Sequence, residues 1–489
     1  MLKPLSSDRW NATTAAHLLN RAGFGGPPRE IQQLVALGPE RAVARLVDFE
    51  KIPDATPNPG WARPDPERRN KLQAFRRADA EQRRELQREE RRQQREQMTE
   101  LRHWWLGRMA RGPRPFQEKM VLFWHGHFAT SVDKVREPYL MWRQNELFRR
   151  LAVDHWLRLL VETGQDPAML IWLDQARSRK QHPNENFARE VMELFTLGEG
   201  HYTEKDITEA ARALTGWSYN RETQQFVDRP ALHDPGVKTV LGRTGRLQGR
   251  DVLEQIVAQP QAARFITAKL WTFFAGQPPS EALLTALAAS FRQHGNHFKP
   301  FLRVMLRSEE FYDPALIRTQ VKSPVQWLAG TIRMLETELP PPQLSGILTR
   351  ELGQDLFAPP NVKGWDGGLS WITTNTLLAR YNQAALLVQG SGAARSGGRR
   401  KPRQAGRGPM PRPRPPALQI EVTRLFSEAE RREPGALIAA LGSRLFQTEL
   451  KANQQAALRE YLDSQGVLDD DDILGAIRLA MSTPEYQLT

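Results

Sequence analysis

Apolar residues recur at three- and four-residue spacing along most of the chain, and strict apolar–polar alternation is scarce. That is helical patterning. It predicts a mainly α fold, a multi-helix body with a small β-hairpin near residues 225–242. The densest pattern lies at 181–219, QHPNENFAREVMELFTLGEGHYTEKDITEAARALTGWSY, which reads as helix, tight turn, helix. The first helix opens after Pro183, with Asn184 as N-cap and Glu185 in its first turn. It stops at Gly198, a residue suited to a left-handed C-cap. The second opens at Thr203, with Asp206 three residues on as a variant capping box, and ends near Gly216. Phe187, Val191, Leu194 and Phe195 share one side of the first helix. Glu185, Arg189 and Glu193 form one polar row, and Asn186, Glu190 and Glu193 the next. On the second helix Asp206, Glu209 and Arg212 face together, opposite a smooth side of Ile207, Ala210, Ala211 and Leu214. Thr215, Trp217 and the His201–Tyr202 pair turn this into a polar cluster inside or lining a cleft. The plainer alternative is two solvated faces laced with ion pairs.

Residues 10–50 read as short helices, and Gly23, Gly25 and Gly26 make a turn that lacks the Lys-Ser/Thr ending of a phosphate loop. After a Pro-rich stretch, one long charged helix is expected from about Pro66 to Arg111. Its alternating charges suit a solvated middle, with packing resumed at Trp104, Trp105 and Met109. In FQEKMVLFWHGHFAT, at 116–130, His125 and His127 flank Gly126 at the end of an apolar helix. Imidazoles suit several transition metals, so this is the best metal-ligand pair in the chain; core hydrogen bonding or helix capping is the alternative. The Asp-Pro-Gly of QQFVDRPALHDPGVKTVLG sits between the runs FV and KTVLG and suggests the hairpin. Trp365 and Trp371 flank Asp366-Gly367-Gly368, as a sugar platform or as packing that fastens the loop. Residues 264–313 and 436–488 echo each other as two three-helix units, closing with Ser-Glu-Glu-Phe and Ser-Thr-Pro-Glu-Tyr.

Composition narrows the chemistry. The 489 residues include no cysteine, which removes disulfides, thiol catalysis and cysteine metal sites. The net charge is +13, but eight basic and no acidic residues lie within 391–417, leaving +5 elsewhere. That Gly-, Pro- and Arg-rich stretch is expected to be a disordered linker. The rest makes no strong case for nucleic acid. No apolar run reaches the ~20 residues of a membrane span. No secretory signal is visible at the N-terminus. A cytoplasmic location follows by default, with the cell envelope or export as the alternative.

The motifs HLLNRAGFG, EKMVLFWHGHFAT, HPNENFAREVMELFTLGEGHYTEKDITEAARALTGW, HDPGVKTVLG, PPNVKGWDGGLSWI and STPEYQL occur in this order. Together they resemble the bacterial family called domain of unknown function 1800. The resemblance covers nearly the whole chain apart from the charged helix and the basic linker. It implies no settled activity. It implies a genomic neighbour, a sulfatase-like partner protein, and frequent export, which the N-terminus here does not match.

The expected organisation is an N-terminal helical part (1–64), the charged helix (65–111) and a central core with the candidate site (112–245). A helical part with the Trp/Gly loop (246–390), the linker (391–417) and a C-terminal helical unit (418–489) packed on the body follow. Two functions are in view. One is a metal-dependent or acid–base enzyme. Its candidate catalytic residues are Glu190, Glu193, Arg189, Glu209 and Arg212, and its candidate metal ligands are His125, His127 and His201, with a divalent metal as possible cofactor. Arg189 and Arg212 are the expected counterions of the glutamates. Asn186, Trp217, Trp365 and Trp371 are the candidate ligand-binding residues. The other function is a non-catalytic helical scaffold or envelope protein that binds a protein or polysaccharide, with the polar motifs as a buried network.

Overall fold

Capping chemistry sets where most helices begin. In the computed structural model, which describes residues 2–390 and 418–489, Asn11, Asp79, Thr203, Thr373, Ser427 and Asp469 each close a reciprocal capping box. Proline at the first turn opens others, among them Pro28–Val47, Pro115–His127 and Pro138–Arg150. The fold is mainly α, with two small antiparallel sheets among the described residues.

The Pro115–His127 helix is the axis of the body. Every residue from Phe116 to His125 is buried. A helix buried on every side belongs in a core, and its polar residues then need partners. It is surrounded by the C-terminal half of Ala80–Arg111 and by Pro138–Arg150 and Pro28–Val47. Its one acid, Glu118, accepts from Arg149 Nε and Nη2 at 2.7 and 2.8 Å, Arg108 Nε at 2.7 Å and Trp105 Nε1 at 3.0 Å.

Two local expectations are corrected. The charged segment is two helices, Arg68–Arg77 and Ala80–Arg111, because Asp79 caps the second and Ala78 is extended. The runs FV and KTVLG do not pair with each other across Asp-Pro-Gly. Strand β1 (Trp217–Tyr219) pairs with β2 (Phe226–Asp228), and β3 (Lys238–Val240) pairs with β4 (Arg243–Gly245). Leu241 and Gly242, both at positive φ, make the tight second turn.

The two echoing segments have the same element order. Pro260–Ala275, Glu281–Gln293, Phe298–Met305 and a closing 3-10 turn Glu309–Tyr312 make the first. Pro434–Leu441, Ala452–Asp463, Asp470–Met481 and Pro484–Gln487 make the second. Leu302, Leu306 and Phe311 are buried, as are their counterparts Ile477, Met481 and Tyr486, while Val304 and Leu479 are both half-buried. The second segment lies on the body: Tyr486 Oη meets Thr331 Oγ1 at 2.7 Å, and the Lys322 amide donates to the Gln487 carbonyl at 2.8 Å. The basic 391–417 stretch, expected to be a disordered linker, lies outside the described residues.

Candidate functional site

Residues two apart on an α-helix point about 200° apart, and His125 and His127 do. His125 Nε2 accepts the Phe357 amide N–H at 2.9 Å, inside a cage of Trp105, Phe357 and Trp365. Burial holds its imidazole neutral, with the pKa down at about 3. His127 faces the other way and donates from Nε2 to the Phe195 carbonyl at 3.0 Å, leaving a buried Nδ1 without a partner. Burial and the nearby Lys269 ammonium hold it well below the usual histidine range. Each histidine therefore fastens the central helix to a different neighbour. Between them, Gly126 lets a loop in. A Cβ on Gly364, whose φ is +86°, would lie 2.3 Å from the Gly126 carbonyl oxygen. Trp365, next in that loop, lies against Gly126.

The central motif ends its first helix in a π-turn. Glu185–Glu190 is α-helical and Val191–Thr196 is π-helical. Such turns widen the helix, break its regular bonding and are frequent at functional sites. The carbonyls it frees are met from outside: Phe195 by His127, and Leu194 by Lys269 Nζ at 3.0 Å. Lys269 is half-buried beside the Phe265 ring, and desolvation lowers its pKa to about 8. The HGH motif and the central motif thus meet through His127 and Phe195.

The charged residues sort into two groups. Arg189 forms a two-pronged pair with Glu204 at 2.7 and 2.9 Å, in the open. Glu185 accepts from Thr208 Oγ1 at 2.8 Å. Arg212 donates to Asp234 at 2.7 Å and to Glu209 at 2.8 Å. Glu209 Oε2 also accepts the Thr239 amide N–H at 3.0 Å, and Asp206 accepts that of Leu241 at 2.7 Å. This network ties the β3–β4 hairpin to the second helix. The expected pairing is present for Arg212 with Glu209 and, at 3.9 Å, for Arg189 with Glu185, and is corrected for Glu190 and Glu193: neither arginine hydrogen-bonds them, because Glu204 and Asp234 are the closer acids.

Glu190 and Glu193 form the second group. Glu190 is half-buried and makes no hydrogen bond or ion pair among the described residues. Burial, and then the Glu193 charge, push its carboxyl above the ordinary range, against the pull of Arg189 and of Lys363 on the Trp365 loop. Glu193 accepts from Tyr202 Oη at 3.1 Å. The Tyr202 hydroxyl is pushed up to about 12 by burial and by that carboxylate, so it stays a donor.

The other candidates lie elsewhere. His201 is exposed. Asn186 is exposed and reaches the Leu173 carbonyl at 3.3 Å. Trp217 is buried against Phe226 and Gly249, and Trp371 is buried against Gly353. Trp371 therefore forms no shared platform with Trp365, which is half-buried. Among the described residues no three of His, Asp and Glu are placed to hold a metal ion, so the expected His125, His127 and His201 set does not assemble. Sequence reading passed over Lys363 and Lys269. The second was visible as the lone cation in the apolar run FITAKLWTFF. No curated protein and no solved structure matches the chain. A family model described as protein of unknown function (DUF1800) matches residues 17–488, nearly the whole length, and the chain belongs to that family.

Proposed function

We propose that the chain is an acid–base enzyme that hydrolyses a carbon–oxygen bond in a neutral, hydroxyl-rich substrate. The observation that carries this reading is Glu190, a half-buried carboxyl with no partner among the described residues, set beside a second carboxyl on a π-turn. A raised carboxyl is suited to act as general acid near neutral pH. In this reading Glu190 gives its proton to the leaving oxygen, and Glu193, oriented by Tyr202, takes the proton of the attacking water. Trp365, half-buried on the loop that carries Lys363, would offer a sugar ring a stacking surface. Arg189, Glu209 and Arg212 hold the surrounding elements, and Asn186 and Trp217 support the motif from behind.

The test is turnover of a panel of nitrophenyl glycosides by the full chain and by Glu190→Gln. Activity should fall by about 10²-fold or more in the variant. Its melting temperature at pH 8 should rise, because a half-buried carboxylate without a partner among the described residues becomes a neutral amide. A lower melting temperature with full activity overturns the assignment. The scaffold reading has one observation of its own: Leu377, Leu378 and Tyr381 stand 44%, 60% and 46% exposed on the Thr374–Val388 helix. Saturable binding of a partner to that face, with no turnover on any panel member, favours it.

A further inference from the structure

At the other end of the Pro115–His127 helix, about 16 Å from Gly126 by helix length, lies a cleft of about 750 Å³. It opens between the Pro28–Val47 helix and the Arg111–Pro115 connection. Its volume falls in the range of small-molecule sites. Six cations line it, Arg29, Arg45, Lys51, Arg111, Arg114 and Arg333, against two acids, Glu30 and Asp48.

The ion pairs decide how much of that charge is free. Glu30 is taken by Arg333 at 2.7 Å. Asp48 is shared among Lys51 at 3.1 Å, Lys299 at 3.5 Å and Arg303. Arg29 and Arg111 reach outward to Glu336 and Glu338. Two guanidinium groups remain. Arg114 is half-buried and, among the described residues, spends only Nε, on the Ile52 carbonyl at 2.7 Å. Arg45 makes no hydrogen bond or ion pair among the described residues. The same cleft is lined by apolar Leu34, Leu46 and Phe49. Two uncommitted guanidiniums beside an apolar wall match an oxyanion carried on a hydrophobic body, because the planar fork binds tetrahedral oxyanions in two-pronged fashion.

We infer that this cleft binds an organic phosphate or sulfate monoester, its oxyanion held by Arg45 and Arg114 and its apolar body on Leu34, Leu46 and Phe49. The site is separate from Glu190 and stands independently of the function assigned there. Isothermal titration of the full chain at low salt tests it, with phenyl phosphate, phenyl sulfate and inorganic phosphate as probes. One aryl ester should bind at a single site more tightly than inorganic phosphate, and affinity should fall as salt rises. Arg45→Gln should weaken it by about tenfold or more, from the loss of a charged hydrogen-bonding partner. Arg45 is exposed and holds no hydrogen bond or ion pair among the described residues, so this variant keeps its melting temperature; Arg114→Gln gives the second reading. A preference for either ester supports the site and names its source. Absence of saturable binding of both aryl esters at low millimolar concentration overturns it, as does unchanged binding in both arginine variants.

Discussion

Glu118 shows how far a single residue's role can sit from its sequence context. It is one carboxylate in the first turn of an apolar helix, and it is buried with two arginines and an indole N–H directed at it. Burial alone would raise its pKa, but Arg149 and Arg108 outweigh that and hold it below the ordinary range. A depressed carboxyl contributes stability that is whole above its unfolded pKa and is lost as pH falls through the folded value. The Glu118 contribution is therefore complete at neutral pH and disappears only in strong acid. Glu118→Gln should cost about 3–5 kcal/mol, since it removes the one fully buried carboxylate that two buried cations share and leaves them only the more exposed Asp54 and Glu146. Urea unfolding at pH 7 measures it, and a loss under about 1 kcal/mol would mean that water or the nearby Asp54 takes over. The residue types of this network were legible in FQEKM and in the run of arginines, but not the pairing. Partner choice is made by tertiary distance, which is also why Arg189 and Arg212 found Glu204 and Asp234 rather than Glu190 and Glu193.

Elements were more legible than partners, because caps are written locally. The Asn184, Gly198 and Thr203 boundaries all appear where capping chemistry puts them. The break before Ala80 was equally local, an Asp-x-x-Gln box that helical charge patterning masked. The π-turn at Val191–Thr196 had no such signal, since it depends on His127 and Lys269 reaching in from other helices to take its carbonyls. The strand pairing was misread because the Asp-Pro-Gly turn is held by Arg212 and Lys238 instead of joining two strands. Loop docking on the central helix gives a sharp prediction. Gly364→Ala adds a Cβ 2.3 Å from a backbone oxygen at positive φ. The φ term costs about 1–2 kcal/mol and the overpacking about 1–3 kcal/mol. Gly200→Ala, also at positive φ but with nothing within 4 Å, carries only the first cost. Comparing the two by thermal unfolding isolates the contact with Gly126. Equal losses would show that the loop does not dock there.

For the whole molecule the governing fact is how many titratable groups it buries in the neutral form. Mainly α architecture and the repeated three-helix unit could be read from periodicity, because both are amphipathic patterns. The buried bases could be named in the sequence but not placed, because burial is a property of the assembled core. Burial holds His17 and His125 at about 3, and His127 well below its ordinary value. Each keeps a depressed value when folded, so its contribution is present above the unfolded value of about 6.5 and drains as pH falls. Asp166 works the other way: burial raises it to about 6, so the folded state takes a proton that the unfolded chain, at about 3.9, does not. His103 and His155 are lowered as well, so the depressed histidines outnumber the raised carboxyls Asp166, Glu90 and Glu190, and stability should fall as pH drops from about 6 to 4. A second stage lies at alkaline pH. Lys119, between the Phe24 and Phe273 rings, is lowered to about 7 by burial and by Arg21, and Lys269 to about 8 by burial. Lys322, over the Tyr486 ring, is also lowered, by burial and by Arg318 and Arg380. Between these values and about 10.4 the unfolded chain holds protons that the folded one has shed, so stability climbs with pH. Urea midpoints measured from pH 4 to 10 should therefore rise in two steps, with a shallow interval near pH 6.5–7, instead of peaking near neutrality. Lys119→Met removes one group from the upper step. It should raise stability at pH 7 and cut the slope between pH 8 and 10 by about 1.4 kcal/mol per unit. A midpoint that declines from pH 7 to 9 in the unsubstituted chain would mean that these lysines remain charged when folded, with water or a carboxylate reaching them.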